Sequence, residues 1–383
     1  MSKKRKICIV VNSRANYARI KSVLKAVQKH PKLDLKLVVG ASALLAKFGE
    51  LTKIISKDGF RISARLFSII EGENLTTMAK STGLGIIELS TILENLKPDI
   101  VLTVADRFET MATAIAASYM NIPLAHTQGG EVTGSIDESV RHAITKLSHI
   151  HFPSSKKSHD NLIKLGEEKK NIFLVGCPSM DLAIGIKKDD DLLKSYSGVG
   201  SKIDLKKPFI LVLQHPVTTE YNDAKFQIEQ TLQAIIKLNI QTIWLWPNID
   251  AGSDEISKTI RIYREKNLLK KVRFYKNFTP EDFLKIMLSC KCIVGNSSSA
   301  IREGSFLGIP AVNIGNRQNG RENGKNVKNV NYNTRLIVEA IKFQINHGKY
   351  SKYKIFGDGY AGKKIANILS KVKPNIKKKL TYE

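Results

Sequence analysis

Three features of the sequence predict an α/β protein with two parallel-sheet domains. Apolar runs of strand length alternate with amphipathic helical segments, the alternation breaks once and restarts, and distinctive polar residues recur just after the strand runs. Strands of a parallel sheet covered on both faces read as near-continuous apolar runs, as these do. With 383 residues, 42% of them hydrophobic and 25% charged, the chain has ordinary globular composition and length for two domains.

The elements follow in order. KICIVV (6–11) predicts the first strand, NSRANY (12–17) a loop, ARIKSVLKAVQKH (18–30) a helix and LDLKLVVG (33–40) the returning strand, which makes one βαβ unit. KPDIVLTV then precedes a loop at ADR and the helix ETMATAIAASYMN. IPLAH precedes a Gly-rich loop and a helix through the 140s, and HIHFP and NIFLVG are further short apolar runs. Residues 184–208 are charged, Gly/Ser-containing and poor in periodicity, which predicts a linker. The pattern restarts with PFILVLQ, QTIWLWP, KVRFY, KCIVG and PAVNIG as strand candidates. The expected domains are 1–182 and 183–359, the first completed by an amphipathic helix within 360–383.

Composition excludes several classes. No apolar run approaches the roughly 18 residues of a membrane helix, and ICIVV is too short for a signal-peptide core, so a soluble cytoplasmic protein is expected. Cys8, Cys177, Cys290 and Cys292 are scattered and lack the second ligand pair of a structural zinc site, so reduced core thiols are expected. The net charge of +26 suits nucleic acid, an anionic surface or an anionic small substrate, but aromatics are only 7% and the lysines sit on solvated helix faces. Neither G-x-G-x-x-G nor G-x-x-x-x-G-K-[ST] occurs, which removes the usual support for a dinucleotide cofactor or a P-loop.

Open parallel sheets bind ligands beyond the carboxyl ends of their strands, and the polar residues of this chain fall there. Arg14 follows CIVV, Asp106 and Arg107 follow IVLTV, Gln128 and Glu131 follow PLAH, and His215 follows ILVLQ. Asn248 follows TIWLW, Asn296–Ser299 follows CIVG, and Arg317 follows VNIG. Two such edges face to face form a cleft. In GNSSSAIREGSFLGIP the serines stand at a helix start, where N–H groups and hydroxyls bind phosphate, and Glu303 is spaced to accept ribose hydroxyls. Plain N-capping by serine is the alternative. Arg14, Arg107 and Arg317, with Arg321 as a weaker fourth, have the forked donors that hold a diphosphate. Asp106, Glu131, Asp137 and Glu138 are acids suited to proton transfer, Glu138 also complementing the helix dipole. His215 precedes a proline that restricts its backbone, whereas His126, His142, His149 and His151 form no metal pattern.

Nine segments across nearly the whole chain carry a resemblance: SRANYARI, KPDIVLTVADRFE, GGEVTGSIDESVRHAITKLSH, GCPSMD, LQHPVTTE, WPNIDAGS, GNSSSAIRE, GIPAVNIGNRQNGR and IFGDG. Together they resemble the hydrolysing UDP-N-acetylglucosamine 2-epimerases, in the branch that makes N-acetylmannosamine for sialic-acid-type sugars. The resemblance implies a GT-B fold, two Rossmann-like domains with the active site between them. It also implies elimination of UDP through a glycal followed by water addition, with no cofactor, no metal, no nucleic-acid or membrane partner, and a homo-oligomer, dimer or tetramer. Carried over, Asp106 and Asp137 match catalytic carboxylates and His215 the histidine near the departing phosphate. Arg14, Arg107, Asn248, Ser297, Ser298, Glu303 and Arg317 match nucleotide-sugar contacts, and Phe278 in KNFTPEDF falls at the uracil pocket. The sequence departs from the pattern at Asn16 and Ala18, and at Gln128, where relatives resemble E-G-G-E. An amide cannot relay protons by titration. Three readings of Gln128 stand: Asp106 and Asp137 run the reaction while Gln128 hydrogen-bonds the sugar, the sugar is a 2,4-diacetamido-6-deoxy derivative, or the chain binds nucleotide sugar without turnover. A GT-B glycosyltransferase is the rival enzyme reading.

Overall fold

The computed structural model describes residues 3–46, 49, 51–247, 250–379 and 381, and its strands form two sheets. The first contains β1 (Arg5–Val11), β2 (Leu33–Gly40), β3 (Ile62–Leu66), β4 (Ile100–Val104), β5 (Leu124–Thr127) and β6 (Ile150–Phe152), in the order β3-β2-β1-β4-β5-β6. Every pair in it is parallel. The second contains β7 (Val199–Gly200), β8 (Phe209–Leu213), β9 (Gln241–Leu245), β10 (Val272–Tyr275), β11 (Cys292–Gly295), β12 (Ala311–Ile314) and β13 (Val327–Val330). Its order is β13-β12-β11-β8-β9-β10-β7, parallel except for β7 against β10. Each sheet therefore reverses its winding once, between β1 and β4 and between β8 and β11. Those are the switch points at which the following helices diverge and open a crevice.

Burial follows the predicted pattern. β1, β4 and β8 are covered on both faces, and their apolar runs feed separate cores under each sheet. The C-terminal helix Ala361–Leu369 lies on the helix Arg14–Lys29, where Ile365, Ala366 and Leu369 join the core that contains Ile20, Val23 and Val27.

Three expectations are corrected. NSRANY is not a loop throughout, because the Ser13 side chain caps the helix from Arg14 by accepting the Asn16 N–H at 3.2 Å. NIFLVG makes one bridge, Ile172 to His151, and then leaves the sheet edge, with the Cys177 N–H donating to the Phe356 carbonyl at 2.7 Å. Residues 184–208 are not a bare linker: they supply β7, and Leu192 and Leu205 bury in the second core. The four cysteines are free and buried. Among the described residues no helix is long and apolar enough to cross a membrane.

Candidate active site

The two switch points face each other across a cleft lined by residues of both domains. The first domain contributes Arg14, Arg19, Asp106, Arg107 and Asp137, and the second contributes His215, Phe278, Ser297–Ser299, Glu303 and Arg317.

The second wall is tied together by Asn296, which follows β11. Its side chain accepts the His215 N–H at 2.8 Å and donates to the His215 carbonyl at 2.7 Å, so the loops after β8 and β11 are fixed to one another. Gly295 permits this closeness: its φ is +127°, and a Cβ there would lie 2.0 Å from the Leu213 carbonyl oxygen. The helix Ser298–Leu307 starts here, capped by Ser297, and aims its amino terminus at the cleft. Ser298 Oγ accepts from Arg19 at 2.7 Å, and Glu303 lies further along the same helix. Phe278 packs edge-on against Tyr196, ring centroids 4.7 Å apart.

The arginines meet between the walls. Arg14, from the first domain, donates to the carbonyls of Trp246 and Lys276 in the second, and burial followed by the nearby Arg107 lowers its pKa to about 10. Arg107 pairs with Asp250 at 2.7 Å and with Glu109 at 3.1 Å. Arg317 donates to the Asn296 carbonyl at 3.2 Å and to Asp137 at 3.4 Å.

The two cleft carboxylates of the first wall are pushed in opposite directions. Burial acts to raise Asp106, but the guanidiniums of Arg141, Arg19 and Arg321 outweigh it and hold this carboxyl far below its usual range. Asp137 is raised to about 6 by burial and then by Asp106 and Asp250, with Arg317 and Arg107 opposing. A carboxyl titrating near neutral pH beside one held ionised is an arrangement suited to proton transfer. His215 is held well below the ordinary imidazole value by burial and by Arg317, Arg14, Arg107 and Arg19, so its ring is neutral.

Gln128, Glu131, Glu138 and Arg321, all candidates from the sequence, do not line this cleft. Gln128 is 1% exposed and sits in left-handed backbone (φ +64°), which turns its side chain beneath the sheet edge, where Nε2 donates to Cys177 Sγ at 3.2 Å. Glu131 is buried among Arg302, Arg321 and Ser154. Arg321, expected at a diphosphate, instead pairs with Glu131 at 2.6 Å. Asn248 lies outside the described residues. Glu138 accepts the Thr133 N–H at 2.8 Å in the first turn of the helix Ile136–Leu147. Arg19 is a cleft residue that the sequence reading missed. The signal was present, since Arg14, Ala15, Ala18 and Arg19 share one helical face.

The family model described as UDP-N-acetylglucosamine 2-epimerase matches residues 25–370. The chain belongs to that family. It is 33% identical over 369 residues to the UDP-N,N'-diacetylbacillosamine 2-epimerase (hydrolyzing) of Legionella pneumophila, covering 96% of each chain. It is also 33% identical over 326 residues to the GDP/UDP-N,N'-diacetylbacillosamine 2-epimerase (hydrolyzing) of Campylobacter jejuni, covering 85% of this chain and 84% of that one. Among solved structures, the Methanocaldococcus jannaschii UDP-GlcNAc 2-epimerase, crystallised with UDP-GlcNAc and UDP, superposes with a TM-score of 0.77 at 19% identity, over 95% of this chain and 99% of that one. The shared architecture of this epimerase family is the GT-B fold, with its cleft between two Rossmann-like sheets.

Proposed function

We propose that this epimerase is a hydrolysing one: it takes a UDP-linked 2-acetamido sugar, such as UDP-N-acetylglucosamine or its diacetamido-6-deoxy relative, and releases UDP and the free 2-epimer. The reading rests on one observation, the oppositely tuned pair Asp106 and Asp137 facing a wall built for an anion.

The steps balance as follows. A carboxylate takes the C2 proton, the C1–O bond to the pyrophosphate breaks, and the electron pair of the C2–H bond forms the C1=C2 bond of a glycal. Water then adds its oxygen to C1 and gives its proton to the carboxyl group that delivers one to C2 from the opposite face. Inversion at C2 needs one group on each face, and Asp106 and Asp137 fill those roles. Ser297, Ser298 and the helix amino terminus bind the departing phosphates, with Arg14, Arg107 and Arg317 as the cations around them. Glu303 takes the ribose hydroxyls, and Phe278 stands at the uracil end. His215, kept neutral by four surrounding arginines, gains proton affinity when the diphosphate offsets them, and it hydrogen-bonds the leaving group. Both 33%-identical relatives carry hydrolysing names, which favours water as the second reactant.

The test is incubation with each nucleotide sugar in D2O without any acceptor, read by mass spectrometry. The expected products are UDP and a free 2-epimer carrying deuterium at C2. Release of UDP only when a sugar acceptor is added would establish a transferase instead, and binding with no release would establish a nucleotide-sugar sensor.

A further inference from the structure

We infer that Glu131 is a positioning residue, the anionic half of a buried latch that closes the two domains on each other and so sets the environment of Asp137. The inference rests on the proposed epimerase reading for its kinetic consequences and on geometry for the latch itself.

Glu131 belongs to the first domain, in the loop between β5 and the helix Ile136–Leu147, and is 5% exposed. Its carboxylate pairs with Arg302 and, at 2.6 Å, with Arg321, both from the second domain and both buried. The other carboxylate oxygen accepts from Ser154. Its backbone carbonyl accepts from Arg141 at 2.8 Å, and that same guanidinium holds Asp106. Arg302 in turn donates to Ser298 Oγ at 3.3 Å. One buried carboxylate is thus connected, through separate arginines, to the acid on one cleft wall and to the serine on the other, while lining neither.

The loops around it are fitted to each other. The Gly134 N–H donates to the Arg317 carbonyl at 3.1 Å, and a Cβ on Gly134 would lie 2.0 Å from the Asn316 carbonyl oxygen. A Cβ on Gly320 would lie 2.8 Å from Val132 Cγ1. Arg317, held on that second loop, is the cation facing Asp137. Asp137 follows Glu131 by six positions, so the latch fixes the loop that delivers it. The charged groups around Asp137 are Asp106 and Arg107 from its own domain and Asp250 and Arg317 from the other, so its surroundings depend on closure.

Proton transfer by Glu131 itself is disfavoured by this geometry, since its carboxylate is spent on two guanidiniums behind the wall. Removing its charge leaves those cations buried and unpaired, which drives the domains apart.

The experiment compares Glu131→Gln with the charge-balanced double variant Glu131→Gln/Arg321→Gln, which guards against simple misfolding. Hydrogen–deuterium exchange of the full chain is expected to rise in 129–137 and 315–323 together in Glu131→Gln, with β1 and β8 unchanged, and to recover partly in the double variant. In kinetics, solvent entering around Asp137 moves the alkaline limb of kcat/KM by roughly one pH unit toward acid. A lower melting temperature with an unshifted alkaline limb would make Glu131 merely structural, and unchanged exchange in 315–323 would remove the latch. If the wild type turns over no nucleotide sugar, the functional reading fails while the exchange experiment still decides the latch.

Discussion

The two walls of the cleft differ in how their charge is held. On the first wall the acids are inside a web of arginines: Asp106 is paired with Arg141, and Asp137 is faced by Arg317 across the cleft. On the second wall serine hydroxyls at a helix start and His215, locked by the Asn296 amide, stand beside the charged Glu303 and Arg317. The difference separates chemistry from binding. In the proposed reaction one wall supplies the acids for proton transfer, and the other supplies the groups that recognise the nucleotide.

Asp137→Asn puts that division to its hardest test. It is expected to lower kcat by about 10²- to 10⁴-fold while leaving the Kd for UDP within about threefold, the size expected for loss of one acid–base group. Turnover assays and calorimetric titration with UDP check the two halves. Loss of UDP binding along with turnover would mean that the walls do not divide the labour.

The opposite wall gives the next largest effect. Glu303→Ala should weaken UDP about tenfold to a hundredfold, the loss of a charge-assisted hydrogen bond, while kcat at saturation stays close to wild type. A fall in kcat comparable to that of Asp137→Asn would move Glu303 into the chemistry.

Much of this arrangement is legible in the sequence, for a physical reason. A doubly wound sheet must put its loops at the carboxyl ends of its strands, so Arg14, Asp106, Arg107, His215, Ser297, Ser298 and Arg317 could be placed from the strand runs alone. What was not legible is direction within a loop. Gln128 and Glu131 follow β5 as Asp106 follows β4, yet Gln128 donates to Cys177 and Glu131 pairs with Arg302 and Arg321, so neither lines the cleft. Arg141 and Arg302 carry no local signal in the sequence, yet both are buried, because their partners come from distant parts of the chain. Pairing at that distance leaves no periodic signal in either helix.

A smaller effect concerns pH. Asp137 has a folded-state pKa raised to about 6, so the stability it contributes is present below the ordinary carboxyl value and is lost as pH rises through about 6. Asp106 and Glu131, both lowered, act oppositely: their contribution is present at neutral pH and is lost in acid. Asp137→Asn should therefore raise the melting temperature at pH 7.5, by on the order of a few °C for a chain of this size, and lose that advantage near pH 4. In the wild type, kcat/KM should fall as pH rises through about 6, where Asp137 loses the proton it delivers while Asp106 stays ionised to take one. A variant no more stable than wild type at any pH would show that Asp137 is not strained on its wall.

Gln128→Glu carries the smallest expected effect and examines the boundary of the first wall. The amide donates to Cys177 Sγ, and Cys177 lies 3.1 Å from Ser179 Oγ, which lines the cleft. A carboxylate at 128 cannot donate, so the Cys177–Ser179 pair, in which either group can be the donor, rearranges around it. The change therefore reaches the sugar only through Ser179, and KM is expected to shift by about threefold with kcat nearly constant, the scale of one rearranged neutral hydrogen bond. The panel used for the wild type, UDP-N-acetylglucosamine and its diacetamido-6-deoxy relative, measures this for both sugars. A gain or loss of kcat beyond about 10²-fold is the signature of a direct acid–base group, and it would bring position 128 out from under the sheet edge to stand with Asp106 and Asp137.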